Sequence, residues 1–437
     1  GDDVTIRPDL QAIEAEDFSY TLIDAGSLDF TGSLDDTLLD ETPFIYDVVL
    51  TVNDDVRDSL DLEFSLKTAG QLGFDSNQTA AYSAVLDVFS SNDELGAALA
   101  DITEEQEFNQ VYDLLLPQRT DAATRYLSSQ GTATFGALGN RLDAISQSDD
   151  GNMGVWAQEY FTQVDVDAAE NVPGYNGNGL GFAAGIDRRL GFIDVIGVFI
   201  NYSSGDFEEK TGGTNPVTTS GFGAGLYTKE SLGPLDVTFS GQYSTVDFNS
   251  RREVVLAGTT FEQRGAWKGT SGMASVAVSS KFEGERFYAR PKVSFDYFEL
   301  SQDGYTETTS ANSISESGAD LAVDVGAADT DRVSASAVLE LGARLPVGQR
   351  SPAFVIPQVS LGYRSEVSST PYTTAARFVG SDETFSIVSA ETYSDAILGG
   401  VSVSTDSPLG TARFGYDVEV ADESIVHFAG ATLKLRF

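Results

Sequence analysis

Apolar and polar residues alternate along most of this chain, from about residue 151 to the C-terminus. A period of two places successive side chains on opposite faces of an extended strand, so the alternation predicts β-strands. Most stretches are long enough to supply the ~9–11 residues that a tilted strand needs to cross a bilayer. We predict about twelve antiparallel strands, which start near Gly154, Gly181, Ile193, Gly221, Leu235, Thr270, Arg286, Val333, Ala353, Ala396, Thr411 and Ser424.

Several predicted strands separate into an apolar and a polar face. In the strand that starts at Leu235, for example, Val237 and Phe239 alternate with Asp236 and Thr238. A soluble β-sandwich would also alternate, but its strands are usually only about five or six residues long. The polar faces carry isolated charges that suit pairing across a lumen. We therefore predict an all-β transmembrane barrel, with a lumen wall that includes Arg290, Lys292, Asp296, Glu340 and Arg364.

The predicted connections between strands alternate between short and long. Short turns on one side and long loops on the other are typical of outer-membrane barrels. Aromatic residues also recur near the strand ends, as the membrane interfaces require. The short connections are 189–191, 230–234, 283–285 and 407–410, and the long ones are 206–219, 302–332 and 367–394.

Residues 67–147, before the alternating part, have helical character. Pro117 separates the last two predicted helices, because proline disrupts a helix interior. The final helix is unusually thin, since glycine, alanine and serine dominate it although each glycine costs roughly 1 kcal/mol against alanine. A helix with such small side chains fits where little space surrounds it. The predicted helices are 79–89, 93–100, 104–116 and 121–146.

Bulk properties narrow the range of functions. The chain has no run of eighteen apolar residues, so no transmembrane helix is predicted. It contains no cysteine, which excludes disulfides and thiolate metal sites. The net charge of −41 argues against nucleic-acid binding, because phosphates would be repelled. Residues 1–66 mix short alternating runs with turns and are predicted to be β-rich.

Short motifs along the predicted barrel carry a family resemblance. They are 154–156 (GVW), 181–187 (GFAAGID), 221–227 (GFGAGLY), 289–297 (ARPKVSFDY), 304–307 (GYTE) and 433–437 (LKLRF), preceded by 111–117 (VYDLLLP) and 140–143 (NRLD). On these residues the chain resembles the autotransporter β-domain family of type V secretion over about 150–437, and more weakly over 67–147. The resemblance implies a twelve-stranded barrel in the bacterial outer membrane, a helix through its pore and a passenger exported to the cell surface. It also implies that the outer-membrane assembly machinery recognises the last strand, here Leu433, Leu435 and Phe437.

The thin helix 121–146 matches this pore helix, since a twelve-stranded lumen holds roughly one helix. Within it, Gly136 and Gly139 are expected to lie closest to the wall. We expect Arg141 and Asp143 to pair with wall charges, because an unpaired charge in a confined lumen is costly. A helical hairpin packed beside the barrel is the alternative. The predicted division is a passenger remnant over 1–66, a linker with the pore helix over 67–150, and the barrel over 151–437.

Catalytic and metal-binding motifs are missing from this sequence. His427 is the only histidine, and it falls on the last predicted strand. The acidic pairs at 35–36, 54–55 and 149–150 lack the spacing of known calcium loops. There is no phosphate-binding glycine loop or Gly-x-Ser-x-Gly elbow, and the Asn-Asn pair of self-cleaving family members is absent from 121–152. We expect no catalytic residue, cofactor or metal, and hence no enzyme.

The leading hypothesis is a translocator that exports or anchors an N-terminal passenger at the cell surface. Two alternatives stay open: a porin-like outer-membrane channel, and the barrel anchor of a surface enzyme whose catalytic domain is missing. Only the residues up to Leu66 precede the helical segment, so a large passenger is expected to lie upstream, to be cleaved or to be reduced to a remnant. The expected partners are outer-membrane lipid, lipopolysaccharide, the assembly machinery and the chain's own passenger.

Overall fold

A computed structural model of the chain contains a β-barrel and an N-terminal region that packs at one end of it. No helix within the described ranges combines the length and the hydropathy needed to span a membrane. The structure describes residues 5–25, 38–53, 58–143, 153–169, 172–190, 193–310, 316–347, 353–389, 395–407 and 410–435.

The N-terminal region combines a small sheet with helices. Its strands pair antiparallel in the order β1–β3–β2, where β1 is Phe18–Ala25, β2 is Tyr46–Asn53 and β3 is Asp58–Leu66. A capping box, in which Asp75 and Gln78 bond each other's backbone amides, starts the first helix. The helices are α1 (Ser76–Ser91), α2 (Asp93–Ala100), α3 (Glu105–Leu115) and α4 (Ala122–Asp143). They lie close to the predicted spans, although residues 144–146 at the predicted end of the last one fall outside the described part.

The barrel is a closed antiparallel sheet. Twelve long strands within the described ranges each pair with two neighbours, and the last pairs with the first from Leu435 opposite Val155 to Ser424 opposite Val166. Closure leaves no unpaired edge, which a sheet in lipid requires. The barrel strands are β4 (Gly154–Val166), β5 (Tyr175–Leu190), β6 (Ile193–Glu209), β7 (Pro216–Leu232), β8 (Leu235–Leu256), β9 (Thr259–Ser280), β11 (Phe287–Gln302), β15 (Ala328–Ala343), β17 (Ala353–Ser369), β20 (Ala396–Ser407), β21 (Gly410–Ala421) and β22 (Ser424–Leu435).

The two ends of the barrel differ. At the short-turn end, successive strands turn back within a few residues, as between Leu232 and Leu235. At the loop end, β8 and β9 extend as 22-residue strands and close in a two-residue turn, Ala257-Gly258. Short elements between the barrel strands are β10 (Phe282–Glu283), β12 (Tyr305–Thr306), β13 (Thr308–Thr309), a 3-10 helix (Glu316–Ala319), β14 (Val323–Val325), β16 (Leu345–Val347), β18 (Thr373–Phe378) and β19 (Thr384–Val388).

The outer surface of the barrel is apolar. Phe239, Val293 and Phe295, which the alternation assigns to one face, are all exposed on the outside. A continuous exposed apolar surface marks contact with lipid or protein, and its alternation with a polar lumen is the pattern of a barrel in lipid. Exposed aromatic side chains add a belt: Phe161, Tyr202, Phe222, Tyr243, Tyr297, Tyr363 and Tyr416.

The described residues of 5–116, which we call the cap, cover the loop end. Phe89 of the cap and Phe378 of β18 belong to one hydrophobic core, in which the N-terminal sheet, α1–α3 and the barrel loops meet. Residues on both sides of the predicted boundary at 66 therefore pack together. Within the cap, the Tyr46 hydroxyl donates to the Glu14 carbonyl oxygen (2.6 Å), and burial raises the pKa of Tyr46 to about 12.

Most barrel strands begin where the alternation predicts, but β5, β7, β9 and β15 begin five to eleven residues earlier, at Tyr175, Pro216, Thr259 and Ala328. Part of the added sequence has a composition typical of loops, such as Asn-Gly-Asn-Gly in 176–179. In the barrel these residues pair along neighbouring strands, where cross-strand partners outweigh weak intrinsic strand propensity. The barrel is therefore taller at the loop end than the sequence predicts.

Candidate functional site

α4 runs through the barrel lumen from one end to the other. Just before its first turn, Asp121 accepts a hydrogen bond from Tyr175 at the loop end (2.8 Å). Near its last turn, Lys229 donates to the Leu142 carbonyl oxygen at the short-turn end (3.5 Å). Its 22 residues rise about 33 Å, close to the ~30 Å of a bilayer hydrocarbon core. Because α4 contacts β4, β5, β6, β9, β11 and β22, it lies inside the barrel and not beside it.

An ion pair holds α4 near the short-turn end. Nε and Nη2 of Arg141 donate to the two carboxylate oxygens of Asp187 on β5, at 2.8 and 2.5 Å. Tyr227 donates to the same carboxylate (2.8 Å), and Trp156 donates to the Tyr227 hydroxyl (2.8 Å). All four side chains are buried. Bidentate charge-assisted hydrogen bonds of this kind are among the strong ones in proteins.

The wall partner of Arg141 is thus Asp187, which was not among the predicted wall residues. The motif 181–187 could have indicated this partner. Gly181, Ala183 and Asp187 lie an even number of residues apart, so they share the face of the strand that points into the lumen. The other predicted plug charge, Asp143, ends the described part of α4, and its side chain lies outside what the structure describes.

A second arginine of α4 lies 16 residues earlier, which is about 24 Å along the helix. Nη1 of Arg125 donates to the Ser424 hydroxyl on β22 (3.2 Å), and the side chain is buried. A buried guanidinium needs hydrogen-bond partners and counter-charges around it. The negative charges of Asp121, Glu366 and Glu419 stabilise the charged form of Arg125. Glu366 also pairs with Arg332, and Glu419 pairs with Arg364.

The glycines of α4 differ in the space around them. A Cβ on Gly131 would lie 2.5 Å from Sδ of Met273, so this glycine is the one in close contact with the wall. A Cβ on Gly139 would lie 3.5 Å from Nζ of Lys292, an ordinary contact distance. A Cβ on Gly136 would meet no atom within 4 Å. The prediction that Gly136 marks a closest approach is therefore wrong, because α4 turns this residue toward open space.

Aromatic side chains lie across glycines on the wall that α4 contacts. A Cβ on Gly181 would overlap the ring of Tyr160, and one on Gly197 would overlap the ring of Tyr227. The Tyr160 hydroxyl in turn lies 2.8 Å from Oγ1 of Thr134 on α4. These rings fill the space between helix and wall, and the glycines provide the room for them. The sequence shows glycines in β5–β7 but not which ring covers each.

The opposite part of the lumen stays open. A cavity of about 290 Å³ lies beside α4, lined on the helix by residues that include Thr132 and Gly136. Wall serines such as Ser275 and Ser334 line it as well. Of the predicted wall residues, Lys292, Asp296, Glu340 and Arg364 line this cavity, and Arg290 is buried in an ion pair with Glu340.

The predicted assembly signal lies on the closing strand. Leu433 is 54% exposed on the outer surface and stands opposite Ala157 of β4. Leu435 pairs with Val155 and completes the closure. Phe437 lies outside the described residues, as do Arg436 and the acidic pairs at 35–36, 54–55 and 149–150. Nδ1 of His427, on the same strand, lies 2.6 Å from the Tyr416 hydroxyl.

A closed barrel with an apolar exterior and a helix of its own chain along the lumen defines an integral outer-membrane protein whose pore is filled from within. The match to a family model is equally clear. The chain belongs to the autotransporter β-domain family, whose model matches residues 155–419.

The chain is also similar to solved structures of autotransporter domains. The translocator domain of the autotransporter NalP from Neisseria meningitidis is 12% identical with a TM-score of 0.56, over 73% of this chain and 99% of that one. The β-domain of the Bordetella autotransporter BrkA is 14% identical with a TM-score of 0.47, over 65% and 99% of the two chains. A comparison with curated protein sequences finds no match.

Family membership makes this chain a translocator barrel of the bacterial outer membrane and implies a passenger domain. The twelve-stranded fold and the helix-filled lumen agree with that function. The porin-like channel and the anchor of a missing enzyme, which the alternation alone left open, are not favoured.

Proposed function

We propose that the barrel exports the residues N-terminal to α4 and keeps them anchored outside the cell, with the loop end facing outward. The orientation of α4 supports this proposal. α4 ends at the short-turn end, where β4 begins, so the chain before Ala122 emerges at the loop end. The passenger side of the molecule is then the side that carries the cap.

Single cysteines test this orientation without background, because the chain contains none. Ser19 is exposed in the cap, and Glu285 is exposed at the short-turn end. In intact cells, a membrane-impermeant maleimide should label Ser19→Cys, whereas Glu285→Cys should react only after the outer membrane is permeabilised. Labelling of Glu285→Cys alone in intact cells would reverse the proposed orientation.

We also propose that the assembly machinery recognises the last strand through Leu433, Leu435 and Phe437. Changing Phe437 to Asp should leave periplasmic, protease-sensitive protein, because the terminal apolar side chain is lost. Phe414→Asp is the matched control, since Phe414 is also exposed on the outer surface but lies inside β21. Equal losses of folded barrel in both variants would reduce the effect to lipid contact, and normal Phe437→Asp barrel would contradict recognition.

The lipid partners and the absence of catalysis complete the proposal. We expect phospholipid and lipopolysaccharide to contact the aromatic belt, whose tyrosine rings are amphipathic and suit the membrane interface. We expect no catalytic activity of the chain itself, which is supported by the place of His427 on the closing strand beside Tyr416. His427→Phe should therefore leave the surface labelling of Ser19→Cys unchanged, and a loss of labelling would show that the imidazole is needed.

A further inference from the structure

The cap is joined to the barrel by buried polar contacts as well as by the shared core. Arg252 lies on the part of β8 that extends into the loop end, and its side chain is only 1% exposed. Nη1 donates to the carbonyl oxygens of Leu114 (2.7 Å) and Leu115 (3.0 Å) of the cap. The charge of Arg252 is balanced by an ion pair with Glu307, a buried loop residue.

These carbonyl groups belong to the last residues of α3. The final carbonyls of a helix have no partner within the helix, and they carry the negative end of its dipole. A guanidinium placed there satisfies the carbonyls and interacts favourably with the dipole. Arg252 is therefore a C-terminal cap of α3 that the barrel supplies.

A second charged residue of the barrel binds the backbone a few residues further along. Glu209, at the loop end of β6, is buried, and its Oε1 accepts the backbone N–H groups of Arg119 (2.7 Å) and Thr120 (2.8 Å). The cation Arg252 thus binds carbonyl groups before Pro117, and the anion Glu209 binds amide groups after it. Pro117 has no N–H of its own, so the turn between them needs fewer partners.

We propose that Arg252 and Glu209 form a docking site on the barrel for the segment 114–120, and that this docking retains the cap on the barrel mouth after export. The site recognises backbone groups in one geometry, with a helix that ends at residue 115 and a turn after it. An unfolded chain in transit does not offer this arrangement, so the cap docks only once α3 has formed. Retention at the cell surface rests on the proposed function, whereas docking itself does not.

Limited proteolysis of the purified full-length protein in detergent tests the docking. Arg252→Gln should release the cap to protease roughly tenfold faster or more, because proteolysis follows the population of the open state and an unsatisfied buried group raises that population. Arg251→Gln is the matched control: Arg251 is the preceding residue, is 51% exposed and pairs with Glu253 and Glu262 of the barrel. Cap cleavage of Arg252→Gln at the wild-type rate, with the barrel folded, would overturn the proposal.

Arg252→Gln leaves Glu307 buried without its partner, so the variant can fail to fold for that reason. The double variant Arg252→Met with Glu307→Leu removes both charges and keeps the apolar core. It should give a folded, heat-modifiable barrel with a protease-sensitive cap. A folded double variant whose cap is as protected as the wild-type cap would overturn the proposal independently.

Surface labelling of cells tests export separately from docking. If Ser19→Cys is not labelled on intact wild-type cells, the proposed export fails whatever the proteolysis shows. If it is labelled, added protease should remove the label from cells with the Arg252→Gln background faster than from Arg251→Gln cells. Equal removal from both would exclude retention by this site.

Discussion

The two halves of the lumen differ in how they meet α4. On the side of β4–β7, buried aromatic residues and an ion pair close the space between helix and wall, as Tyr160, Tyr227 and Asp187 show. On the side of β9–β21, serines and charged residues line a cavity of about 290 Å³. Toward the short-turn end the helix is therefore held by one wall and faces the cavity on the other, whereas nearer the loop end Thr124 and Ser128 also hydrogen-bond Thr330 and Arg332 of β15. In this barrel, large side chains on the side of β4–β7 fill the space that small side chains leave open on the other side.

The largest expected effect comes from the ion pair on the tight side. Arg141→Met leaves Asp187 buried without its charge partner, which should destabilise the folded barrel by about 3–5 kcal/mol. The measurement is the temperature at which the heat-modifiable, folded form disappears on a gel. Arg344→Met is the control, because the pair of Arg344 with Asp406 is partly exposed, at 52% and 25%, and should change stability by only about 1 kcal/mol or less.

A double variant sharpens this prediction. Arg141→Met combined with Asp187→Leu removes both charges, so most of the loss should be recovered. A single Arg141→Met variant as stable as the Arg344→Met control would show that the tight side does not depend on this pair.

A matched pair of glycines compares a tight and an open position on the helix itself. Gly131→Leu forces a side chain against Met273 and should cost roughly 1–3 kcal/mol, the usual range for overpacking. Gly136→Leu points into the cavity and should show no such loss. Thermal unfolding of both variants in the same detergent gives the measurement. Equal losses would mean that the space beside Gly136 is as tight as the contact between Gly131 and Met273.

The smallest effect should be a gain. Gly136→Ala adds a methyl group where no atom lies within 4 Å, and alanine favours a helix over glycine by roughly 1 kcal/mol. The unfolding temperature of the barrel should therefore rise slightly. A fall in that temperature would indicate that Gly136 has a contact partner in the membrane-embedded protein.

The barrel itself was predictable because its signal is local. Alternation marks each strand, and six of the twelve predicted starts coincide with observed first residues, Gly154 and Ile193 among them. The thin composition of α4 likewise predicted a helix in a confined space. Periodicity within one segment carries this information without any knowledge of partners.

What the sequence did not predict depends on contacts between distant segments. The β8–β9 hairpin turns at Ala257-Gly258 with positive φ at both residues, and alanine is rarely found in that conformation. Asp187 pairs with a helix residue 46 positions earlier, and Arg252 reaches α3 across more than a hundred residues. No periodicity within one strand reveals such partners.

The rings that cover the wall glycines have a consequence for the use of this barrel as a sensing nanopore. Strand number sets the outer diameter of a barrel, but the aperture near β4–β7 is set by how far Tyr160 and Tyr227 project over Gly181 and Gly197. Shortening the rings would widen the aperture without changing strand count or the lipid-facing belt. Adding a side chain at either glycine would instead require its ring to be trimmed at the same time, so each ring and its glycine form one adjustable element.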